Sequence, residues 1–254
     1  MSQMRKNTFD LVKDVAQRLG IAISHYPPPG SLERHLRDFL SQLEINVVLD
    51  VGAFIGNYAK DLRNLGYRGR IISFEPVPNS YENLTKAMSN DSLWRGEKYG
   101  LSDVNSEALI NTHSKGNFNS LLTLREDAEQ AYSLDPTLRS QVPIQLRRLD
   151  AVLPELIEGI ASPRIFMKMD TQGHDVSVVK GSAGVLGMIL GIQSELPAVE
   201  IYDGMLSMPE TLSYYASCSF FPSGFYPVNT FRSLQVSPEF DVLFSRFEGR
   251  LART

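Results

Sequence analysis

The sequence predicts an α/β fold: a mostly parallel sheet with helices on both faces, closed by an antiparallel hairpin. Three observations predict it. Short apolar runs at 46–51, 70–74, 164–169 and 191–195 alternate with segments of helical period, the order that builds parallel sheets. Acids Asp50, Glu75, Asp103, Asp170 and Glu195 fall at or just after the strand ends, where ligands of such sheets bind. Two last apolar runs, 224–228 and 240–244, have no helical segment between them and read as a hairpin.

The elements follow in order. Residues 9–19 carry Val12, Val15, Ala16 and Leu19 at helical spacing, and Pro27, Pro28, Pro29 and Gly30 then break the chain. This divides a helical extension, 1–30, from a main domain, 31–254. Ser31 can cap a helix that presents Leu32, Leu36, Phe39, Leu40 and Leu43 on one face. The first strand, 46–51, leads into a helix over 57–65 that ends at Gly66. The second strand, 70–74, precedes a helix over 80–88, and a third strand is expected to end near Tyr99. Residues 107–142 read as less regular: a hairpin-like piece, a polar stretch at 113–120 and a charged helix near 124–132. A short strand is expected at 144–149. The fourth strand, 164–169, precedes a helix over 175–185, and the fifth, 191–195, a helix near 209–216.

Composition narrows the function. The chain has 254 residues, 43% hydrophobic and 21% charged, as in ordinary soluble proteins. A net charge of −4 argues against a nucleic-acid surface, which needs a basic face. The single Cys218 forbids an internal disulfide and cysteine metal clusters and fits a reducing compartment. The first 13 residues lack the apolar segment of a secretory signal, and the stretch 184–192 is too short to span a bilayer. A cytoplasmic location without a membrane span is expected.

The most informative segment is Val47-Val-Leu-Asp-Val-Gly-Ala-Phe-Ile-Gly56. The turn at Gly52 and Gly56 lets backbone N–H groups approach a ligand without Cβ clashes. The dinucleotide fingerprint requires glycines at 52, 54 and 57, where this chain has Gly52, Phe54 and Asn57. A phosphate-binding P-loop is also absent. What remains, D-x-G-x-x-x-G, puts Asp50 before the turn. An acid is ill-suited to a pyrophosphate and well suited to the ammonium and sulfonium of S-adenosylmethionine (SAM). Glu75, ending the second strand, can accept two hydrogen bonds from ribose hydroxyls.

From Leu36 to Phe247 the chain resembles the FkbM-like family of SAM-dependent methyltransferases. The segments that carry the resemblance are Val48-Leu-Asp-Val-Gly-Ala-Phe-Ile-Gly-Asn-Tyr-Ala59, Leu65-Gly-Tyr-Arg-Gly-Arg-Ile-Ile-Ser-Phe-Glu-Pro-Val-Pro78 and Arg147-Arg-Leu-Asp-Ala-Val152. Further along they are Met167-Lys-Met-Asp-Thr-Gln-Gly-His-Asp175, Val179-Lys-Gly-Ser182, Ile192-Gln-Ser-Glu195 and Phe240-Asp-Val-Leu-Phe-Ser-Arg246. The resemblance implies a Rossmann-like, seven-stranded class I methyltransferase sheet and O-methylation of a hydroxyl, with S-adenosylhomocysteine as product. It implies that Gly52, Gly56 and their neighbours Asp50, Ala53, Asn57 and Tyr58 hold the methionine part of SAM. Glu75, with Pro76, would take the ribose, and Ser102 with Asp103 would flank the adenine. Asp170 and Gln172 would lie near the methyl group and the acceptor. Two positions depart from the family pattern: Phe54 replaces a small or amide residue and would narrow the SAM entrance, and Asp175 replaces a glutamate and is shorter by a methylene.

Methyl transfer to a hydroxyl calls for a base. His174, in the loop after the fourth strand, is the first candidate, since imidazole titrates near neutrality; an exposed helix-start histidine is the alternative. His113, in the polar stretch 113–120, is the second, and Asp170 the third, with sulfonium partner or substrate anchor as its other roles. Asn119, Ser120, Gln172, Glu195 and Tyr202 are expected to contact the acceptor; for Asn119 and Ser120 a simple turn is the alternative, for Glu195 a structural hydrogen bond. His25 and His35 read as surface or domain-packing residues, Trp94 as packing, and Arg147 and Arg148 as a solvated strand edge. No metal is expected: metal-dependent O-methyltransferases place an Asp-Asn pair at the fifth strand, which Gln193-Ser194-Glu195 does not offer. An ion shared by Asp170 and Glu195 is the alternative. The acceptor is expected to be a sugar, glycoconjugate or secondary metabolite, with a homo-oligomer possible. An NAD-dependent oxidoreductase and a non-catalytic SAM-binding protein are the competing functions.

Overall fold

The apolar run Val47, Val48, Leu49 and Val51, mostly β-branched, forms β1 (Val47–Val51), buried on both faces, as parallel strands covered by helices must be. The structure, a computed structural model, describes residues 8–21, 23–24, 26–228 and 237–247; His25 lies outside them. α1 (Thr8–Arg18) precedes the sheet and buries only Ala16 of its apolar stripe, leaving Leu11, Val12, Val15 and Leu19 exposed. α2 (Leu32–Gln42) begins at Ser31, whose side chain accepts from the Arg34 N–H. α3 (Asn57–Asn64) follows β1, then β2 (Arg70–Phe74), α4 (Pro78–Met88) and β3 (Trp94–Glu97). Pro78 sets the start of α4 two residues before the expected position, at the helix position where its missing N–H costs nothing.

The region read as irregular is ordered. β4 (Gly100–Leu101), β5 (Ser106–Thr112) and β6 (Ser140–Arg147) form a separate three-stranded sheet in the order β4-β6-β5, with β5 and β6 antiparallel. The expected strand at 144–149 is thus the end of a longer one, and Leu149 opens a helix instead, α6 (Leu149–Leu156). Between β5 and β6 lies α5 (Glu126–Ala131). Its surroundings join residues 199–205 through the Leu124–Tyr202 bridge and a small core of Phe118, Leu124, Ala128, Leu134, Ile201 and Tyr202. Arg147 and Arg148 are not merely solvated. Arg147 lies over the Tyr99 ring, and Arg148 bonds Asp150 and the Asp103 carbonyl.

The main sheet is completed by β7 (Ile165–Met169), α7 (Asp175–Lys180), β8 (Ile189–Pro197), α8 (Met208–Ser217), β9 (Phe220–Pro227) and β10 (Glu239–Arg246). Its seven strands run in the order β3-β2-β1-β7-β8-β10-β9, parallel except for β10, which is antiparallel to both neighbours. The fold is the expected Rossmann-like sheet with a C-terminal hairpin. Strand alternation divides its side chains. Val48, Ile71, Phe166 and Leu243 pack against α2, α3 and α4; Val47, Leu49, Ile72, Met167, Ile192 and Phe244 pack against α6, α7 and α8. On β9 Phe220 is core, while Phe221 and Phe225 are exposed. His35 donates or accepts at 2.7 Å from the Tyr226 hydroxyl, tying α2 to β9.

α7 ends at Lys180, five residues short of the expected length, because Gly181 passes against the chain after β4. A Cβ built there would stand 1.9 Å from the Ser102 carbonyl oxygen. Gly181 has an ordinary φ of −70°, so only crowding opposes a side chain. Gly181→Ala is expected to cost about 1–3 kcal/mol, lowering the melting temperature by roughly 2–4 °C per kcal/mol. Gly187, where a Cβ meets nothing within 4 Å, should tolerate alanine within about 0.5 kcal/mol. Thermal unfolding of the two variants checks the contrast.

Candidate active site

β1, β2, β7 and β8 all end at one edge of the main sheet, and a cleft of about 440 Å³ opens there, between strands that diverge in chain order as such crevices require. β1 and β7 turn away from the sheet almost in contact. Gly52 has φ +75°, and a Cβ on it would lie 2.1 Å from the Asp170 carbonyl oxygen. Only glycine fits both the conformation and the approach. Gly56, at φ +86°, starts α3 and faces Leu84 of α4; it does not line the cleft, whereas Gly52, Ala53, Phe54, Asn57 and Tyr58 do.

Glu75 ends β2 inside the cleft. One of its oxygens accepts from the Phe54 N–H and the other from the Val77 N–H, each at 2.8 Å. Burial pushes its carboxyl up to about 7, although both N–H groups pull it down. Each oxygen keeps a lone pair for a further donor. Pro76 lines the cleft beside it, and Gly100, Leu101, Ile110, Ile144 and Leu146 of the small sheet supply an apolar wall.

Asp50 is placed otherwise than expected. It is wholly buried and does not line the cleft. Register explains this: Asp50 stands beside Ser73 on β2 and Lys168 on β7 in one row across the sheet. Ser73 donates to Asp50 Oδ2 at 3.0 Å and itself accepts from the Trp94 indole at 3.0 Å, so Trp94 does more than pack. Lys168 Nζ lies 3.6 Å from Asp50 Oδ1, 3.4 Å from Asp170 Oδ2 and 3.3 Å from the Gly52 carbonyl oxygen, and 5.2 Å from the centre of the Tyr58 ring. Burial lowers the Lys168 ammonium, but Asp170, Asp50 and Asp241 outweigh it and hold it above the ordinary lysine value. The carboxylates free to meet a bound cation are therefore those that line the cleft, Asp170 among them, and not Asp50. A lone lysine in the apolar run Ile165-Phe-Met-Lys-Met169 was a signal, because a buried lysine is nearly always paired.

Beyond Lys168 the cleft carries a second polar group. Gln172, in a left-handed conformation at φ +54°, donates from Nε2 to Asp170 Oδ1 at 2.8 Å and Glu195 Oε2 at 3.1 Å. Its Oε1 accepts from the buried Tyr202 hydroxyl at 2.7 Å, and its backbone oxygen from Ser120 Oγ at 2.7 Å. Tyr202 and Ser120 thus hold Gln172 rather than lining the cleft, whereas Asn119, Gln172, Glu195 and Asp170 line it. Gln193 and Asp241 line it too, and the sequence did not mark them as site residues. Gln193 accepts from the Tyr58 hydroxyl at 2.9 Å and donates to Asp241 at 2.9 Å. Burial, then Asp170, Glu239, Asp241 and Asp175, push the Glu195 carboxyl well above the usual range. Among the described residues no group of three or more His, Cys, Asp or Glu side chains could hold a metal ion.

The two histidines are not brought together. His174 lines the cleft, but its Nε2 lies 3.0 Å from Ser102 Oγ, which donates to Asp103. Burial lowers its pKa, Asp103 opposing. Ser102 and Asp103 sit behind the cleft wall rather than in it. His113 lies in a second depression with Asn111, Leu124 and Arg139, outside the cleft; its ring nitrogens have no hydrogen-bond partner. Asp175, with its shortened side chain, does not reach the cleft. It is buried, accepting from the Thr171 N–H, Thr171 Oγ1 and Ser194 Oγ, and so fixes the loop 170–175 on β8. The Phe54 ring meets Gly116, where a Cβ would lie 2.6 Å away, so the 113–120 stretch closes over the entrance against it.

The family model of the methyltransferase FkbM domain matches residues 50–216. No curated protein matches the chain. Among solved structures, the chain is similar to fibrillarin from Aeropyrum pernix, whose structure holds natively bound SAM, at 11% identity over 83% of this chain and 74% of that one, with a TM-score of 0.46. An rRNA methylase from Streptococcus thermophilus matches at 11% over 84% and 95%, TM-score 0.44. A precorrin-6y C5,15-methyltransferase from Geobacter metallireducens GS-15 matches at 12% over 86% and 92%, TM-score 0.43. Likenesses this distant say nothing of an acceptor. The family match covers the glycine turn, Glu75 and the loop after β7, which together build the cleft, and by it the chain belongs to the FkbM methyltransferase family.

Proposed function

We propose that this chain, a SAM-dependent methyltransferase by its family, methylates a hydroxyl oxygen of a sugar, glycoconjugate or secondary metabolite. One observation carries the acceptor class. Beyond Glu75 the cleft is lined by Asp170, Gln172, Glu195 and Asp241, a set of acceptors and one amide suited to gripping several hydroxyls at once. The oxidoreductase alternative loses its ground with the family match. The region 31–254 is the catalytic domain in this reading, and small-molecule or carbohydrate acceptors are its partners.

Glu75 fits the ribose diol, because two backbone N–H groups already fix both of its oxygens. Gly52, Ala53, Asn57 and Tyr58 border the methionine part, and the apolar wall of Leu101, Ile144 and Leu146 takes the adenine. Bound there, SAM supplies a methyl group open to attack along the carbon–sulfur axis. The chain aligns the acceptor oxygen with that axis, and alignment of this kind is worth roughly 7–11 kcal/mol of barrier. A positioned base adds about 10²–10⁴-fold.

Two outcomes test the reading. Glu75 must be ionised to accept from both hydroxyls, and in the free protein it titrates at about 7. Affinity for S-adenosylhomocysteine is therefore expected to fall about tenfold per unit as pH drops below that value and to level off above it. Glu75→Gln should bind weakly and lack this dependence. Calorimetry from about pH 5.5 to about pH 8.5 on both proteins checks it, the ligand's own titration cancelling in the comparison. Second, label from methyl-tritiated SAM should pass to methyl glycosides of glucose, mannose or rhamnose or to a polyketide alcohol. Transfer only to an RNA, an amine or a thiol would contradict the acceptor class.

A further inference from the structure

We propose that Glu195 is the general base that takes the proton from the acceptor hydroxyl, a role that rests on the O-methylation reading. The geometry selects it by elimination and by fit. Of the two histidines, His113 lies outside the cleft and His174 is engaged with Ser102. Asp170 lines the cleft, but Lys168 Nζ at 3.4 Å and Gln172 Nε2 at 2.8 Å hold its charge in place. Both of its carboxylate oxygens are thus already engaged. Among the described residues Glu195 accepts, through Oε2, from Gln172 alone, and Oε1 is left for the acceptor.

The Gln172 amide cannot turn over to change this. Its oxygen accepts from the Tyr202 hydroxyl, so its nitrogen must face the two carboxylates. The two N–H donors of that nitrogen serve Asp170 and Glu195, one each, and the lysine stands on the Asp170 side. Among the described residues, the titratable groups that act most strongly on Glu195 are acidic: Asp170 and Asp175 from the β7–α7 side, Glu239 and Asp241 from β10, and the phenols of Tyr132 and Tyr202. Burial and these neighbours raise the affinity of Glu195 for a proton, which brings a carboxylate nearer to the basicity that works at neutral pH. In the step, the acceptor oxygen bonds to the methyl carbon and the carbon–sulfur bond breaks with its electron pair leaving on the thioether sulfur. The hydroxyl proton passes to Glu195 Oε1.

The test compares wild type, Glu195→Gln and Glu195→Asp. Titration of the glutamate side-chain carboxyls by carbon-13 NMR in the free protein should show one resonance, missing in Glu195→Gln, that titrates well above the others. With the methyl glycoside that wild type turns over, Glu195→Gln should lose about 10²–10⁴-fold in kcat while keeping wild-type affinity for S-adenosylhomocysteine. Glu195→Asp should recover part of the rate, and the acid limb of its pH profile should move. Three results overturn the proposal: a Glu195 resonance in the ordinary carboxyl range, a Glu195→Gln rate within threefold of wild type (a threshold of about 0.6 kcal/mol), or activity abolished by EDTA and restored by magnesium. If wild type binds S-adenosylhomocysteine yet methylates no hydroxyl, the O-methylation reading fails and takes the base role with it. Turnover that survives Glu195→Gln overturns the base role alone.

Discussion

The site depends on one buried cation. Lys168 Nζ lies within 4 Å of Asp50, Asp170 and the Gly52 carbonyl oxygen, and so joins the ends of β1 and β7 where the cleft opens. Removing one partner from a buried pair leaves the other charge uncompensated, at a cost of about 3–5 kcal/mol. The exposed pairs of this chain, such as Arg34 with Asp38 and Arg125 with Asp127, are screened by solvent and contribute little. The internal row thus outweighs the surface pairs. It also has direction: Trp94, Ser73, Asp50 and Lys168 pass hydrogen bonds and charge from β3 across the sheet to Asp170. A carboxylate at the cleft mouth is thereby oriented from the far edge of the sheet.

Backbone geometry provides the second constraint. Gly52 and the Asp170 carbonyl approach too closely for any side chain, so the two turns are packed backbone against backbone. Asp175 adds three hydrogen bonds that seat the loop 170–175 on β8, and Tyr202 and Ser120 fix Gln172 from outside. Gln172 faces the cleft, and Tyr202 and Ser120, which hold it, do not. Such support keeps the polar side chains of the cleft in a fixed geometry.

Much of this was legible in the chain. β1, β2, β7 and β8 follow from apolar runs, and Gly52, Glu75 and Asp170 from where those runs stop. What escaped has physical reasons. β6 contains Pro143, which argues against a strand; it is tolerated because β4 pairs only with Leu146 and Arg147, leaving that edge of β6 open. Pro154 similarly hides α6, which keeps its place by burying Leu149, Leu153 and Leu156. Asp50 was misplaced because spacing locates a residue along a strand, whereas its neighbours across the strands decide whether it meets the ligand. Register with Ser73 and Lys168 is a tertiary fact. The same limit hid Gln193 and Asp241, which become site residues only when β10 pairs antiparallel with β8.

The central claim is that the edge shared by β1, β2 and β7 holds SAM with its ribose on Glu75 and its methyl group toward Asp170 and Glu195. A crystal structure of the protein soaked with SAM tests it most directly. The account predicts both ribose hydroxyls within hydrogen-bond distance of the Glu75 oxygens and the sulfonium on the Asp170 side of the cleft. SAM bound elsewhere, or with its ribose away from Glu75, would contradict it.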